Sequence, residues 1–112
     1  MENLKKTNNL NWVAGKIKGF HAKNLLEMEN GSLKMIKVDS FASYPYHAHP
    51  KKTEYIYVLE GRPKITIEDE IFIGEKEDFF ILPNSSKHSI ENPFIAQCIL
   101  LVGSIRTSFE KE

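Results

Sequence analysis

The segment YPYHAHPKKTEYIYVLEG, Tyr44 to Gly61, holds two of the chain's four histidines, separated by a single residue, with a glutamate shortly after them. Residues i and i+2 of an extended strand project to the same face. His47 and His49 therefore point together while Ala48 turns away. A second strand beginning near Thr53 brings Glu54 beside them across a hairpin. Three ionisable groups thus converge where a strand normally places apolar residues. An ionised carboxylate inside a barrel is costly without a counter-charge, and the ring nitrogens of two neighbouring histidines also need partners.

Outward from this segment the chain keeps a period of two. From Ser32, SLKMIKV sets Leu33, Met35 and Lys37 on one face and Lys34, Ile36 and Val38 on the other. The pattern predicts further extended runs over Tyr44–His49, Glu54–Leu59, Pro63–Glu68, Ile71–Ile73, Asp78–Leu82, Ser89–Asn92 and Ala96–Val102. Turn signals separate them, among them His49-Pro50, Gly61-Arg62-Pro63, Glu68-Asp69-Glu70 and Pro83-Asn84-Ser85-Ser86. Many short strands at close spacing predict an all-β sandwich or barrel. No stretch after Gly31 has helical periodicity. Before it, Trp12 to Phe20 reads as a short strand or an irregular segment, and HAKNLLEMENG as one helical turn or a loop closed by Asn30-Gly31. The expectation is a single domain: residues 1–31 as a polar N-terminal segment with the first strand, open to docking on a partner, and residues 32–112 as the barrel core.

Length and charge limit the function classes. A chain of 112 residues makes one modest core. Lysine plus arginine is 15 and aspartate plus glutamate is 15, so the basic excess expected of a nucleic-acid or anionic-membrane binder is absent. The lone Cys98 lies in the apolar run AQCILLVG and reads as a small buried hydrophobe, with no second cysteine for an intrachain disulfide. No run approaches the roughly 18 apolar residues of a membrane span. The N-terminal MENLKKTNNLNW lacks the apolar centre of a signal peptide, so a reducing, cytoplasmic setting is expected.

A further histidine, His88, follows the turn PNSSK, whereas His21 in FHAKN reads as a hydrogen-bonded surface residue. A His-x-His pair alone fits a structural polar pair as well as a ligand pair. With Glu54 and His88 added, a bound divalent cation satisfies all of these groups at once, which makes His47, His49, Glu54 and His88 a candidate metal site.

The spacing resembles the cupin superfamily. HAHPKKTEYIYVLEG matches its first motif through His47, His49, Glu54 and Gly61, and PNSSKHSIEN its second through Pro83, His88 and Asn92. Glycines that the family often carries fall here at Phe41, Glu77 and Ser85, which implies altered turns, with Asn84 as a left-handed residue. The resemblance implies a small single-domain jelly-roll barrel with one divalent metal ion, Fe, Mn, Ni, Co, Zn or Cu, held by His47, His49, Glu54 and His88. Two coordination positions would stay open for water, oxygen or substrate. Glu54 would double as a base.

Strand parity nominates Pro45, Ile56, Val58, Ile90 and Asn92 as pocket lining, with Met35, Phe80, Phe94 and Gln97 as further candidates. Tyr55 and Tyr57 face away from Glu54 and are expected to pair two chains as a homodimer. No arginine falls inside, which favours a neutral or metal-chelating small molecule. The implied function is a metalloenzyme, dioxygenase-like or isomerase-like. The competing one is a non-catalytic metal- or ligand-sensing module.

Overall fold

In the computed structural model, which describes residues 2–107, the period-two pattern folds into strands throughout. A 3-10 turn at Thr7–Asn9 precedes β1 (Val13–Ala14), β2 (Phe20–Met28), β3 (Gly31–Val38), β4 (Ser43–His47) and β5 (Lys52–Glu60). Then follow β6 (Lys64–Ile67), β7 (Glu70–Ile73), β8 (Phe79–Leu82), β9 (His88–Glu91) and β10 (Cys98–Arg106). Every sheet pairing is antiparallel. One sheet runs β1-β2-β3-β10-β5-β8 and the other β4-β9-β6-β7, the two layers of a jelly-roll barrel. Residues 108–112 of the expected core unit lie outside the described residues.

The segment expected as a helical turn or loop is instead β2. A bulge opposite β3 between Asn24 and Leu26 breaks the alternation, so Leu25 and Leu26 are adjacent apolar residues within a strand. Phe20 of β2 is buried with the core, and Lys23 donates from Nζ to the Thr7 carbonyl at 2.9 Å. The N-terminal segment is therefore part of the barrel wall. β10 also continues beyond Val102, placing Arg106 at its end.

The core is Phe20, Val38, Ile56, Val58, Ile65, Leu82, Cys98 and Leu100. Fully burying one such side chain contributes roughly 1.5–3 kcal/mol. Cys98 is fully buried among them, and burial pushes its thiol up.

β10 sets the inner surface. It pairs with β3 on one side and β5 on the other, which aligns Ile36, Leu100 and Val58 across the sheet. The next inward row is Lys34, Val102 and Ile56, and the next Ser32, Ser104 and Glu54. All three strands thus change from apolar to polar in the same direction, giving one sealed end and one polar end.

The turns keep the geometry that the missing glycines would have allowed. Phe41, Glu77 and Ser85 have φ of 61°, 75° and 68°, so the left-handed residue in PNSS is Ser85 and not Asn84. Neighbouring hydrogen bonds enforce this: Glu77 donates its N–H to the Val58 carbonyl at 2.8 Å, and Ser85 to the His49 carbonyl at 2.8 Å. A non-glycine residue held there costs roughly 1–2 kcal/mol. Glu77→Gly is therefore expected to stabilise the fold by about 1 kcal/mol, read as a Tm several degrees higher in thermal unfolding. Gly61→Ala is expected to do the opposite, because Gly61 has φ of 85° and an added Cβ would lie 2.6 Å from the Gln97 carbonyl oxygen.

Candidate metal centre

His47 and His88 are direct cross-strand partners on β4 and β9, so their rings face the interior side by side, with centroids 4.2 Å apart. His49 lies just beyond β4, where its carbonyl accepts from Ser85 and ties the HAH segment to the turn that leads to His88. Glu54 comes from β5, in the other sheet. It meets the histidines across the barrel and not across the expected hairpin.

One ligand atom from each of His47, His49, Glu54 and His88 lies within 4.8 Å of the others. His88 Nε2 is 3.0 Å from both His47 Nε2 and Glu54 Oε1. His49 Nε2 is 3.3 Å and His47 Nε2 3.9 Å from the same carboxylate oxygen. Adjacent ligands about 2.1 Å from an octahedral ion stand about 3.0 Å apart, so the spacing fits the donor set.

Proton placement strengthens the fit. His47 Nδ1 lies 3.0 Å from the Pro45 carbonyl and His88 Nδ1 3.2 Å from that of Ser86. A carbonyl only accepts, so each Nδ1 carries the proton and each neutral ring turns the Nε2 lone pair inward. Two such lone pairs and a carboxylate oxygen then meet with no hydrogen among them. A divalent cation resolves that repulsion. Without one, a second proton on a ring must do so, and His88 is only 2% exposed.

The electrostatics favour the ligand forms. Burial pushes the His49 ring below its ordinary value; the Glu54 charge opposes this, and Lys52, His47 and His88 add to it. Burial alone would raise the Glu54 carboxyl. In the metal-free site, where a second proton lets His88 Nε2 donate to Glu54, that hydrogen bond, with the charges of His49, His88 and Lys52, outweighs burial and holds the carboxyl below its ordinary value of 4.5.

The cluster opens into a cavity of about 500 Å³. Of the expected lining residues, Ile90 faces it. Ile56 and Val58 share the Glu54 face but lie deeper, sealed in the core, and Phe80 packs beside that core. Met35 stands on the outer face of β3, opposite to Lys34 and Ile36. Pro45 is displaced by a bulge in β4 between Tyr44 and His47, which turns Tyr44 inward instead, its ring 4.9 Å from that of His47. Asn92 is buried but donates to the carbonyls of Val38, Asp39 and Ala96 and accepts from the Phe94 N–H, so it braces a loop. Gln97 is exposed and donates to Glu60, and Phe94 stacks with Arg62. His21 hydrogen-bonds Asp39 at 2.8 Å and stays outside the cluster.

Sequence reasoning missed Lys16, Lys34, Lys52, Ser32 and Ser104, all of which line the cavity. Lys34 was legible in principle, since it shares the inward parity of Ile36 and Val38.

A family model described as Cupin domain matches residues 35–103. The chain belongs to this family. An uncharacterized protein of Methanocaldococcus jannaschii is 39% identical over 46 residues, covering 41% of this chain and 37% of that relative. A predicted oxalate decarboxylase of Thermotoga maritima superposes with a TM-score of 0.85 at 18% identity, covering 93% of this chain and 99% of that one. KdgF from Halomonas sp. gives 0.83 at 18% identity, over 96% and 97% of the two chains. A sugar phosphate isomerase from Silicibacter pomeroyi gives 0.72 at 16% identity, over 81% and 62%. At these identities the likeness is one of fold. Among the described residues no helix is long and apolar enough to cross a membrane.

Two outcomes test the electrostatics. Metal affinity is expected to fall on acidification from pH 7 to pH 5, because protons compete for the imidazoles; metal content constant down to pH 5 contradicts it. For the metal-free fold, a depressed Glu54 contributes stability above 4.5 that is lost as pH falls through its lower folded value. The Tm of wild type is therefore expected to fall more steeply than that of Glu54→Gln in thermal unfolding between pH 6 and 3.

Proposed function

We propose that this cupin is a divalent-metal-dependent enzyme acting on a small molecule that chelates the metal, in a dioxygenase-like or isomerase-like reaction. The observation that supports it most is that His88 Nε2 stands 3.0 Å from both His47 Nε2 and Glu54 Oε1 while the Nδ1 atoms of both rings face backbone carbonyls. His47, His49, Glu54 and His88 would hold the ion. A bound ion supplies Lewis acidity, and positions for a chelating substrate or dioxygen, at the sites the protein leaves open.

The chain's own residues do the rest. The Pro45 and Ser86 carbonyls fix the tautomers of His47 and His88. Glu54, ionised at neutral pH, accepts a proton from an adjacent substrate atom. Phe20, Ile36, Tyr44, Leu82 and Val102 form an apolar wall that limits water around it. Two of the solved structures of this fold carry enzyme names, a predicted oxalate decarboxylase and a sugar phosphate isomerase.

Elemental analysis of the purified protein is expected to give about one divalent ion per chain, and His88→Ala or His47→Ala almost none. Full stoichiometry in His47→Ala removes the site assignment. Oxygen uptake with Fe(II) across diketones, catechols and thiols then separates the oxygenase from the isomerase reading. Ligand binding without turnover under any metal favours a sensor.

A homodimer through the Tyr55 and Tyr57 face is part of the proposal. On that face Phe79 and Ile81 of β8 stand opposite Tyr57 and Tyr55 and are more than half exposed, an apolar surface suited to a second copy. Light scattering is expected to show a dimer that Ile81→Lys converts to monomer without loss of metal.

A further inference from the structure

The net charge of the chain is zero, but the charge of its cavity is not. Lys16, Lys34 and Lys52 all line it, against a single lining carboxylate, Glu54, which belongs to the metal cluster. Lys34 and Lys52 are on the inner face by strand parity, Lys34 in the row with Val102 and Ile56, and Lys52 two residues before Glu54. Both stand toward the polar end of the barrel, Lys34 exposed and Lys52 half-buried, where they border the cavity opening. Lys16 enters from the loop between β1 and β2, next to Ile17, which also lines the cavity.

None of the three forms an ion pair among the described residues. The one carboxylate that lines this cavity, Glu54, is already engaged by His88 and His49, and Lys52 also borders a second, smaller pocket that contains Glu27 and Glu29. Like charges gathered in a concave, partly apolar cavity raise its potential and concentrate ligands of the opposite sign. A bound divalent ion would add to that potential.

We propose that the ligand is a small organic dianion, with one acid group directed at the His47/His49/Glu54/His88 cluster and a second held by the lysines. Lysine binds either a carboxylate or a phosphate as a point charge, without the fixed fork that arginine imposes. The cavity volume of about 500 Å³ suits a molecule of metabolite size. This replaces the neutral ligand favoured by the expected absence of an inward arginine, an expectation that fails at Arg106, which pairs with Lys52 in phase with Ser104 and Val102. It rests on reading the cavity as the substrate site, and it concerns residues other than the metal ligands.

The experiment is calorimetric binding at low salt, on metal-free and Mn(II)-loaded protein. The probe pairs are succinate against succinamide and 2-phosphoglycolate against glycolamide. At least one acid is expected to bind more than about tenfold tighter than its neutral counterpart, with an affinity that falls as salt rises. The tighter of the two acids identifies the anion. Lys16→Met/Lys34→Met is expected to lose about tenfold of that affinity while keeping wild-type metal content and far-UV circular dichroism. Lys34→Arg is expected to retain most of it. Equal binding of acid and neutral probe, or a double variant that binds the acid like wild type, overturns the proposal. Wild-type protein that takes up no metal but still prefers the acid refutes the metal reading and leaves the anion site standing.

Discussion

The pairing of β10 with both β3 and β5 is the constraint on which the interior depends. Each of these strands carries its own gradient from apolar to polar on the inward face. Only the shared register makes the gradients coincide, so that Ser32, Ser104 and Glu54 fall in one row and Ile36, Leu100 and Val58 in another. A slip of one residue would send every inward side chain to the outer face. The sealed end then supplies the hydrophobic stabilisation, and the polar end is free to be a site.

The second sheet completes that end. β4 and β9 pair so that His47 and His88 stand side by side, and the barrel closes them over Glu54. The backbone has a direct chemical role, because the carbonyls of Pro45 and Ser86 decide which nitrogen of each ring carries its proton. The same bulge that removes Pro45 from the cavity turns Tyr44 into it. The hydrogen bond from Ser85 to the His49 carbonyl links the two motif segments, so their relative position is held by backbone as well as by side chains.

Local conformation follows the demands of this closure and not residue preference. Phe41, Glu77 and Ser85 occupy left-handed backbone that glycine would adopt without strain. The turns they form are anchored to neighbouring strands, and tertiary hydrogen bonds override the local cost. Reading altered turns from the absence of glycine therefore failed, although the cost to the fold is present at each position.

The all-β class, the position of most strands and the four members of the candidate site are legible in the residues alone. Alternation of period two and the HAH, Glu54 and His88 spacing are local signals that survive without coordinates. The sequence could not show that β2 is a strand, because the bulge at Leu25 hides its alternation, nor that Tyr44 and not Pro45 faces inward, because a bulge shifts parity. That Glu54 meets the histidines from the opposite sheet, and that Lys16, Lys34 and Lys52 share their cavity, emerges with the folded barrel. The physical reason is that strand parity assigns a face, whereas register and closure assign the neighbours, and the charge of a cavity is a property of neighbours.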